Sequence, residues 1–258
     1  MKRPLRIGLF GAGRVGGHLL RAFDRLPEVE VTGVWTRHPG RHSVLAGRRD
    51  LVRRPEDMPE ADVYVLALKD DAVGEFSRYL AGRRGLTVHT SGAVPSTVLQ
   101  TRRRGVFYPL QTFTEHTEPD WTAIPLLVYA QTAEDTALLE RLARMLTPEV
   151  FRVDDDQRAR LHTAAVFVSN FTNAMVQIGQ ELNREAGLPE ELLKPLLEAT
   201  FRNIQEKGAE AVLTGPARRG DIKTIEKHLR LLSDGGHRTE KDIYEAVSRW
   251  ILERYGIR

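Results

Sequence analysis

The amino-acid sequence contains no cysteine. Disulfide bonds, thiol nucleophiles and cysteine-ligated metals are therefore excluded as features of this chain. It also lacks any apolar run that approaches the ~18 residues of a membrane-spanning helix. The apolar segment near the start, Leu5–Phe10, is too short for a signal peptide and is typical of a strand. These absences lead us to expect a cytoplasmic protein without membrane contact.

Charge is nearly balanced, because 38 Lys and Arg are set against 35 Asp and Glu, for a net charge of +3. Arginines cluster, but no helix-turn-helix, zinc or aromatic-stacking motif accompanies the clusters at residues 48–49, 53–54, 83–84 and 102–104. We therefore interpret them as solvated loops and expect no nucleic-acid partner. The eight histidines are scattered, and their spacing predicts no metal site.

The opening segment LRIGLFGAGRVG carries the most informative motif. An apolar strand pattern leads into a G-x-G-x-x-G turn and then into a helix pattern over residues 15–26. In this context Gly11 allows a tight turn, Gly13 lets the backbone approach a pyrophosphate, and Gly16 lets helix and strand pack closely. The helix N-terminus adds free N–H groups and partial positive charge. The motif predicts a dinucleotide site at Gly11, Ala12, Gly13, Arg14, Val15 and Gly16.

The end of the second strand pattern, residues 28–35, predicts which dinucleotide binds. An NAD site usually has Asp or Glu there to accept from the ribose 2′-OH, whereas this chain continues with Thr36 and Arg37. Thr36 can donate a hydrogen bond, and Arg37 can pair with a 2′-phosphate. The segment favours NADP(H) over NAD(H), with the alternative that Arg37 is one more surface arginine.

The order of elements predicts two domains. Residues 1–153 alternate strand and helix patterns, and Val63–Leu68 has the continuous apolar character of a buried parallel strand. This predicts an α/β Rossmann domain with a doubly wound, mainly parallel sheet. Residues 154–258 have helical periodicity throughout. We expect an all-α domain there, built around a long helix over residues 156–186.

A polar stripe runs along that long helix. His162, Ser169, Asn173 and Gln177 are spaced to share one helical face, and Asn170 lies one position aside. The stripe indicates a polar cleft, a solvent-facing side or a polar network between helices. In a second unusual segment, residues 213–221, Arg219 could hold an anionic substrate group and Asp221 is placed to be a helix N-cap.

Several motifs together resemble a known family. The segments LALKDDAV, HTSGAV, FYPLQTF, HTAAVFVSNFTNA and LTGPARRGD are similar to those of Rossmann-like proteins with a C-terminal helical domain of unknown function. That family is commonly described as NADP oxidoreductases, including a deazaflavin-dependent type. It is related to pyrroline-5-carboxylate reductase and to the 6-phosphogluconate and 3-hydroxyisobutyrate dehydrogenases. The resemblance implies an active site between the two domains and, by analogy, a homodimer formed through the helical domain.

The resemblance also implies roles for individual residues. Thr36 and Arg37 would meet the adenosine ribose phosphate. The remaining cofactor contacts would be Leu68, Lys69, Thr90, Ser91 and Gly92, the last three near the nicotinamide. The substrate side would be lined by Tyr108, Gln111 and Asn173. The related dehydrogenases have a catalytic Lys four residues before an Asn on the long helix, but this chain has Val166 at the matching position.

We therefore expect an NADP(H)-dependent oxidoreductase that transfers hydride between nicotinamide and a small carbonyl, hydroxy or imine compound. His162 would move the proton, since imidazole suits proton transfer near neutrality, and Asn170 and Ser169 would orient the substrate. Imine reduction fits the absent lysine, because an iminium arrives already protonated. Two alternatives remain open: a non-catalytic NADP-binding sensor or assembly module, and hydride exchange with a deazaflavin or flavin.

Overall fold

Seven strands form one sheet in the order β2-β1-β3-β4-β5-β6-β7. The computed structural model describes residues 3–115 and 117–257. The strands are β1 Leu5–Phe10, β2 Val29–Trp35, β3 Val63–Leu66, β4 Leu86–His89, β5 Arg104–Pro109, β6 Leu126–Ala130 and β7 Val150–Arg152. The strands from β2 to β5 in this order pair in parallel, so their carboxyl ends meet at one edge. The predicted doubly wound α/β Rossmann fold is confirmed.

One strand runs against the parallel pattern. β6 pairs antiparallel with β5, and β7 then pairs parallel with β6. The connection from β5 to β6 contains a short 3-10 turn, Trp121–Ala123, in place of a crossover helix. A parallel neighbour requires such a crossover, so the chain returns in the opposite direction. The expectation of a mainly parallel sheet therefore holds for the strands that form the proposed cofactor edge.

Helices cover the sheet on both faces and bury its central strands. They are α1 Arg14–Asp24, α2 Asp70–Ser77 and α3 Ala133–Arg144. Every residue of β3 and β4 is buried. One core cluster includes Leu9, Leu19 and Val65, and a second includes Phe10, Leu66 and Val73. Residues of alternate orientation on the same strands supply the two clusters, which explains the uninterrupted apolar pattern of β3.

The rest of the chain is helical, as predicted, but the long helix is not uniform. The helices after β7 are α4 Asp155–Ala165, α5 Thr172–Glu185, α6 Lys194–Lys207, α7 Ala209–Val212, α8 Pro216–Arg219, α9 Ile222–Asp234 and α10 Arg238–Arg254. Between α4 and α5 the segment Val166–Phe171 forms a π-helical turn. The prediction of one regular α-helix over 156–186 is therefore wrong in its middle. A π turn contains more residues than an α turn, so the spacing from His162 to Ser169 is not regular α-helical spacing.

The chain divides into two compact units, one up to Ser169 and one from Asn170 onward. α4 belongs to the unit that contains the sheet. The domain boundary after residue 153 stays a prediction from the sequence. In the second unit Asp221 accepts a hydrogen bond from the backbone N–H of Thr224 and caps α9, as predicted. Among the residues that the structure describes, no helix combines the length and apolar character needed to cross a membrane.

Candidate functional site

The turn after β1 has the geometry that the glycine motif predicts. Gly11 has φ +97°, and a Cβ there would overlap the carbonyl oxygen of Ala67. A Cβ on Gly16 would overlap the carbonyl oxygen of Gly11 in the same way. The Gly11 N–H also donates to the Trp35 carbonyl at 2.7 Å, which fastens the turn to the end of β2. Both glycines are therefore required by close backbone packing.

Gly13 differs from its two partners because its surroundings are open. A Cβ built on Gly13 would meet no atom within 4 Å. Gly13 is also the N-cap residue of α1, and no side chain satisfies the first N–H groups of that helix. A methyl group at this position would fill space over a helix N-terminus where anions bind favourably. This cradle fits a dinucleotide pyrophosphate.

A cavity of about 610 Å³ adjoins the glycine turn. The residues predicted to hold a cofactor that line it are Gly11, Ala12, Gly13, Thr36, Arg37, Leu68 and Lys69. Thr36 is half-buried and Arg37 is exposed at the end of β2. The glycine turn and the segment after β2, which the sequence predicts separately to bind a dinucleotide, therefore line one continuous surface.

Three residues that line the same cavity were not predicted from the sequence. His38, Arg41 and His42 line it together with Arg37. The 3-10 turn Pro39–Arg41 brings Arg41 back to the cavity. Arg41 and His42 also line a neighbouring cavity of about 180 Å³ beside Arg14. The available signal was the repeated Arg-His pair, Arg37-His38 and Arg41-His42, on the two sides of Pro39-Gly40.

The loop after β4 forms a buried corner at the same edge of the sheet. Thr90, Ser91 and Gly92 are all buried. The Ser91 hydroxyl accepts hydrogen bonds from the backbone N–H groups of Ala93 and Val94, at 3.1 and 3.0 Å. Ser91 therefore shapes the loop with its oxygen and keeps its own proton available as a donor.

His162 lies directly over this loop and beside β5. Its Nδ1 is 3.1 Å from the Tyr108 hydroxyl, and the two rings meet edge to face. A Cβ on Gly92 would overlap His162 and would lie 2.9 Å from Cζ of Tyr108. Burial raises the pKa of the Tyr108 phenol, while the positive charge of Arg158 acts in the opposite direction. Gly92, Tyr108 and His162 thus form one contact group, which we call the His–Tyr site.

The other predicted catalytic and substrate residues lie around the π turn and beyond it. The Ser169 hydroxyl is 2.8 Å from the hydroxyl of Thr112, on the chain after β5. Gln111 is exposed, and its side-chain oxygen accepts from the Thr112 N–H at 2.8 Å. The residues of the second unit, Asn170, Asn173 and Arg219, are exposed. Within the described ranges no group of three or more His, Asp or Glu side chains is placed to hold a metal ion.

The fold and the glycine turn define the class: a Rossmann-type chain with a dinucleotide cradle at the carboxyl ends of its parallel strands. A family model for a domain of unknown function, DUF2520, matches residues 124–251. A solved structure from Bacteroides fragilis, named as a candidate NADP oxidoreductase, shares 35% identity and superposes with a TM-score of 0.87 over 97% of this chain and 98% of that one. The chain belongs to the family of that protein.

More distant solved structures share the fold. A protein from Thermotoga maritima is 20% identical, with a TM-score of 0.79 over 96% of this chain and 98% of that one. An imine reductase from Myxococcus stipitatus in complex with NADP+ is 18% identical, with a TM-score of 0.62 over 96% of this chain and 94% of that one. No curated protein matches the chain.

Proposed function

We propose that this protein is an NADP(H)-dependent oxidoreductase that acts on a small carbonyl, hydroxy or imine compound. The observation that carries the proposal is the His–Tyr site, a proton-handling pair placed beside the loop that follows β4 and on the same unit as the dinucleotide cradle. The Bacteroides relative supports the cofactor, since its name states an NADP oxidoreductase.

The residues of the cavity fit NADP(H) in detail. Gly11–Gly16 would hold the pyrophosphate against the N-terminus of α1, with Leu68 and Lys69 along the cofactor. Arg37 and Arg41 would contact the 2′-phosphate by charge-assisted hydrogen bonds. Thr36, between β2 and Arg37 in the sequence, lines the same cavity. Thr90, Ser91 and Gly92 would border the nicotinamide. When bound, the cofactor supplies or accepts a hydride at its nicotinamide ring.

The His–Tyr site would manage the proton that accompanies the hydride. When the Nδ1–H of His162 donates to the Tyr108 oxygen, Nε2 is the nitrogen left for a substrate. As an imidazolium, His162 would deliver the Nε2 proton in the reducing direction and become neutral; as a neutral imidazole, it would accept a proton on Nε2 in the oxidising direction. Ser169, whose hydroxyl lies 2.8 Å from that of Thr112, would hold the substrate together with Gln111. The roles of Asn170, Asn173 and Arg219 stay predictions from the sequence.

Imines are the substrate class that the missing lysine favours. Val166 stands where the related dehydrogenases have their lysine. A carbonyl needs an acid as negative charge develops on its oxygen, whereas an iminium ion is already protonated. The fold shared with an imine reductase is consistent with this choice.

The test is turnover of NADPH with cyclic imines, ketones and 2-oxoacids by the wild type, His162→Ala and Tyr108→Phe. The chain offers a matched control, because His228 and Tyr244 form a second His–Tyr pair at 2.8 Å between α9 and α10. Tyr244→Phe should leave turnover unchanged. Removal of a general acid costs about 10²–10⁴-fold, so His162→Ala should lose that factor on ketones and much less on iminium substrates.

Two outcomes would contradict the proposal in different ways. Near-wild-type rates of His162→Ala on every substrate class would remove His162 from the mechanism. Binding of NADPH without turnover of any compound would instead indicate a non-catalytic NADP-binding module.

We also propose a homodimer formed through the helical unit. A groove of about 240 Å³ in that unit has a mainly apolar surface, to which Val176, Leu193, Leu196 and Leu197 contribute. Leu196 is 65% exposed, and Leu192 is 57% exposed. Contiguous apolar surface of this kind is typical of an interface. In sedimentation, the wild type should be a dimer and Leu196→Asp should be a monomer. A monomeric wild type would refute the proposed homodimer.

A further inference from the structure

The largest fully buried side chain of the described residues is a cation, Arg158 on α4, with 1% of its surface exposed. Arg158 lies one helical turn before His162. Its guanidinium donates to the Asp155 carboxylate at 2.7 Å and to the carbonyl oxygen of Val94. A charge that is removed from water is costly unless it is paired and hydrogen-bonded, so these two partners define where α4 can lie.

The second oxygen of Asp155 completes the connection to the loop after β4. Asp155 Oδ2 accepts from the backbone N–H of Ser96 at 2.9 Å and from the Ser96 hydroxyl at 2.8 Å. Burial acts to raise the pKa of Asp155, but the hydrogen bonds from Arg158 and Ser96 outweigh it and the pKa is lowered. The carboxylate therefore stays ionised. Three hydrogen bonds attach the first turn of α4 to Val94 and Ser96, and the Arg158–Asp155 ion pair connects them.

Two further groups face the charge of Arg158. His89, at the end of β4, is fully buried, and burial followed by the charge of Arg158 lowers its pKa to about 4, against the opposing effects of Asp155 and the Pro95 carbonyl. Tyr108 of the His–Tyr site is the other, since Arg158 acts to lower the pKa of its phenol. The cluster thus combines a fixed ion pair with a neutral imidazole and a phenol.

We propose that Arg158 and Asp155 are positioning residues for the His–Tyr site. They attach α4 to the loop that contains Gly92 and so set the distance between His162 and Tyr108. One α-helical turn is about 5.4 Å, so a displacement of the first turn of α4 is transmitted directly to His162. The role of the pair in turnover rests on the proposed function, but its effect on the geometry does not.

The experiment uses hydrogen exchange of the full chain and needs no substrate. Arg158→Gln keeps an amide donor on a shorter side chain and removes the charge. The matched control is Arg160→Gln, the same substitution two residues later on the exposed side of α4. Loss of charge-assisted hydrogen bonds should make residues 90–98 exchange roughly tenfold faster or more in Arg158→Gln. Exchange in Arg160→Gln should match the wild type.

A second readout separates positioning from general loss of stability. The ionisation of Tyr108 is followed by tyrosinate absorbance, as the difference between each variant and its Tyr108→Phe derivative. Arg158→Gln should move this ionisation to higher pH because the nearby positive charge is gone. Arg158→Lys keeps the charge but cannot reach both partners, so it should restore the ionisation of Tyr108 and leave residues 90–98 rapidly exchanging.

The proposal fails if Arg158→Gln and Arg160→Gln are indistinguishable in both measurements. If Arg158→Gln does not fold, Ser96→Ala decides, because it removes one hydrogen bond from the loop side and leaves the ion pair intact. Faster exchange confined to residues 90–98 in Ser96→Ala would support the proposal, and unchanged exchange would overturn it. Neither measurement depends on turnover, so a failure of the proposed function would be recognised separately.

Discussion

Replacement of Gly13 by alanine should separate cofactor binding from folding. The new Cβ meets no protein atom within 4 Å, so no packing is disturbed. At an N-cap position alanine is less favourable than glycine by up to about 1 kcal/mol, and the reduced freedom of the unfolded chain offsets about 0.4–1 kcal/mol of this. The free energy of unfolding should therefore change little. The methyl group would occupy the space that we propose for the pyrophosphate, so overpacking of about 1–3 kcal/mol should weaken NADPH binding roughly 5- to 150-fold.

The assay is a titration with NADPH followed by nicotinamide fluorescence, together with urea denaturation. Gly82→Ala is the matched control, since a Cβ there also meets no atom within 4 Å and the residue lies outside the glycine turn. Gly82→Ala should change neither quantity. Wild-type NADPH affinity in Gly13→Ala would refute the placement of the pyrophosphate at this turn.

Three further predictions follow from the same geometry. Arg37→Gln should weaken NADPH about tenfold through loss of a charge-assisted phosphate contact and leave NADH unchanged; equal effects on both would refute that contact. Gly92→Ala, whose Cβ would lie 2.7 Å from His162 Cγ, should lower the free energy of unfolding by about 1–3 kcal/mol, and an unchanged denaturation curve would contradict the packing. His89→Asn should flatten the pH dependence of stability between pH 6.5 and about 4.

The sign of that last effect follows from linkage. The pKa of His89 falls from 6.5 to about 4 in the folded protein, so the unfolded chain binds the proton more readily. The stabilising contribution is complete above pH 6.5 and is lost as the pH falls toward 4, roughly 3 kcal/mol in all. The exposed His38 provides the control substitution, His38→Asn, whose profile should keep the wild-type slope.

Local signals predicted several elements of the fold in both units of the chain. The glycine turn, the buried strand β3 and the Asp221 cap each depend on residues within a few positions of one another, and the structure confirms all three. The direction of β6 was not specified by its own residues, because only the absence of a crossover helix after β5 determines it.

The candidate site was harder to predict from the sequence, because its contacts join segments that are distant along the chain. Tyr108 and His162 are separated by 54 positions, and periodicity alone does not pair them. The π turn Val166–Phe171 keeps an α-like apolar pattern in sequence, so periodicity did not reveal the irregular segment between α4 and α5. Arg158 and Asp155 resemble an ordinary i,i+3 surface pair, and only the burial of Arg158 against Val94 reveals their connection to the loop.

The most direct test of the central claim is a pair of titrations of the purified wild-type protein, one with NADPH and one with NADH, followed by nicotinamide fluorescence. We predict tight binding of NADPH and weak binding of NADH, because Thr36, Arg37 and Arg41 border the cavity where an NAD site has a carboxylate. Equal affinity would contradict the 2′-phosphate assignment. No binding of either nucleotide would contradict the oxidoreductase account as a whole.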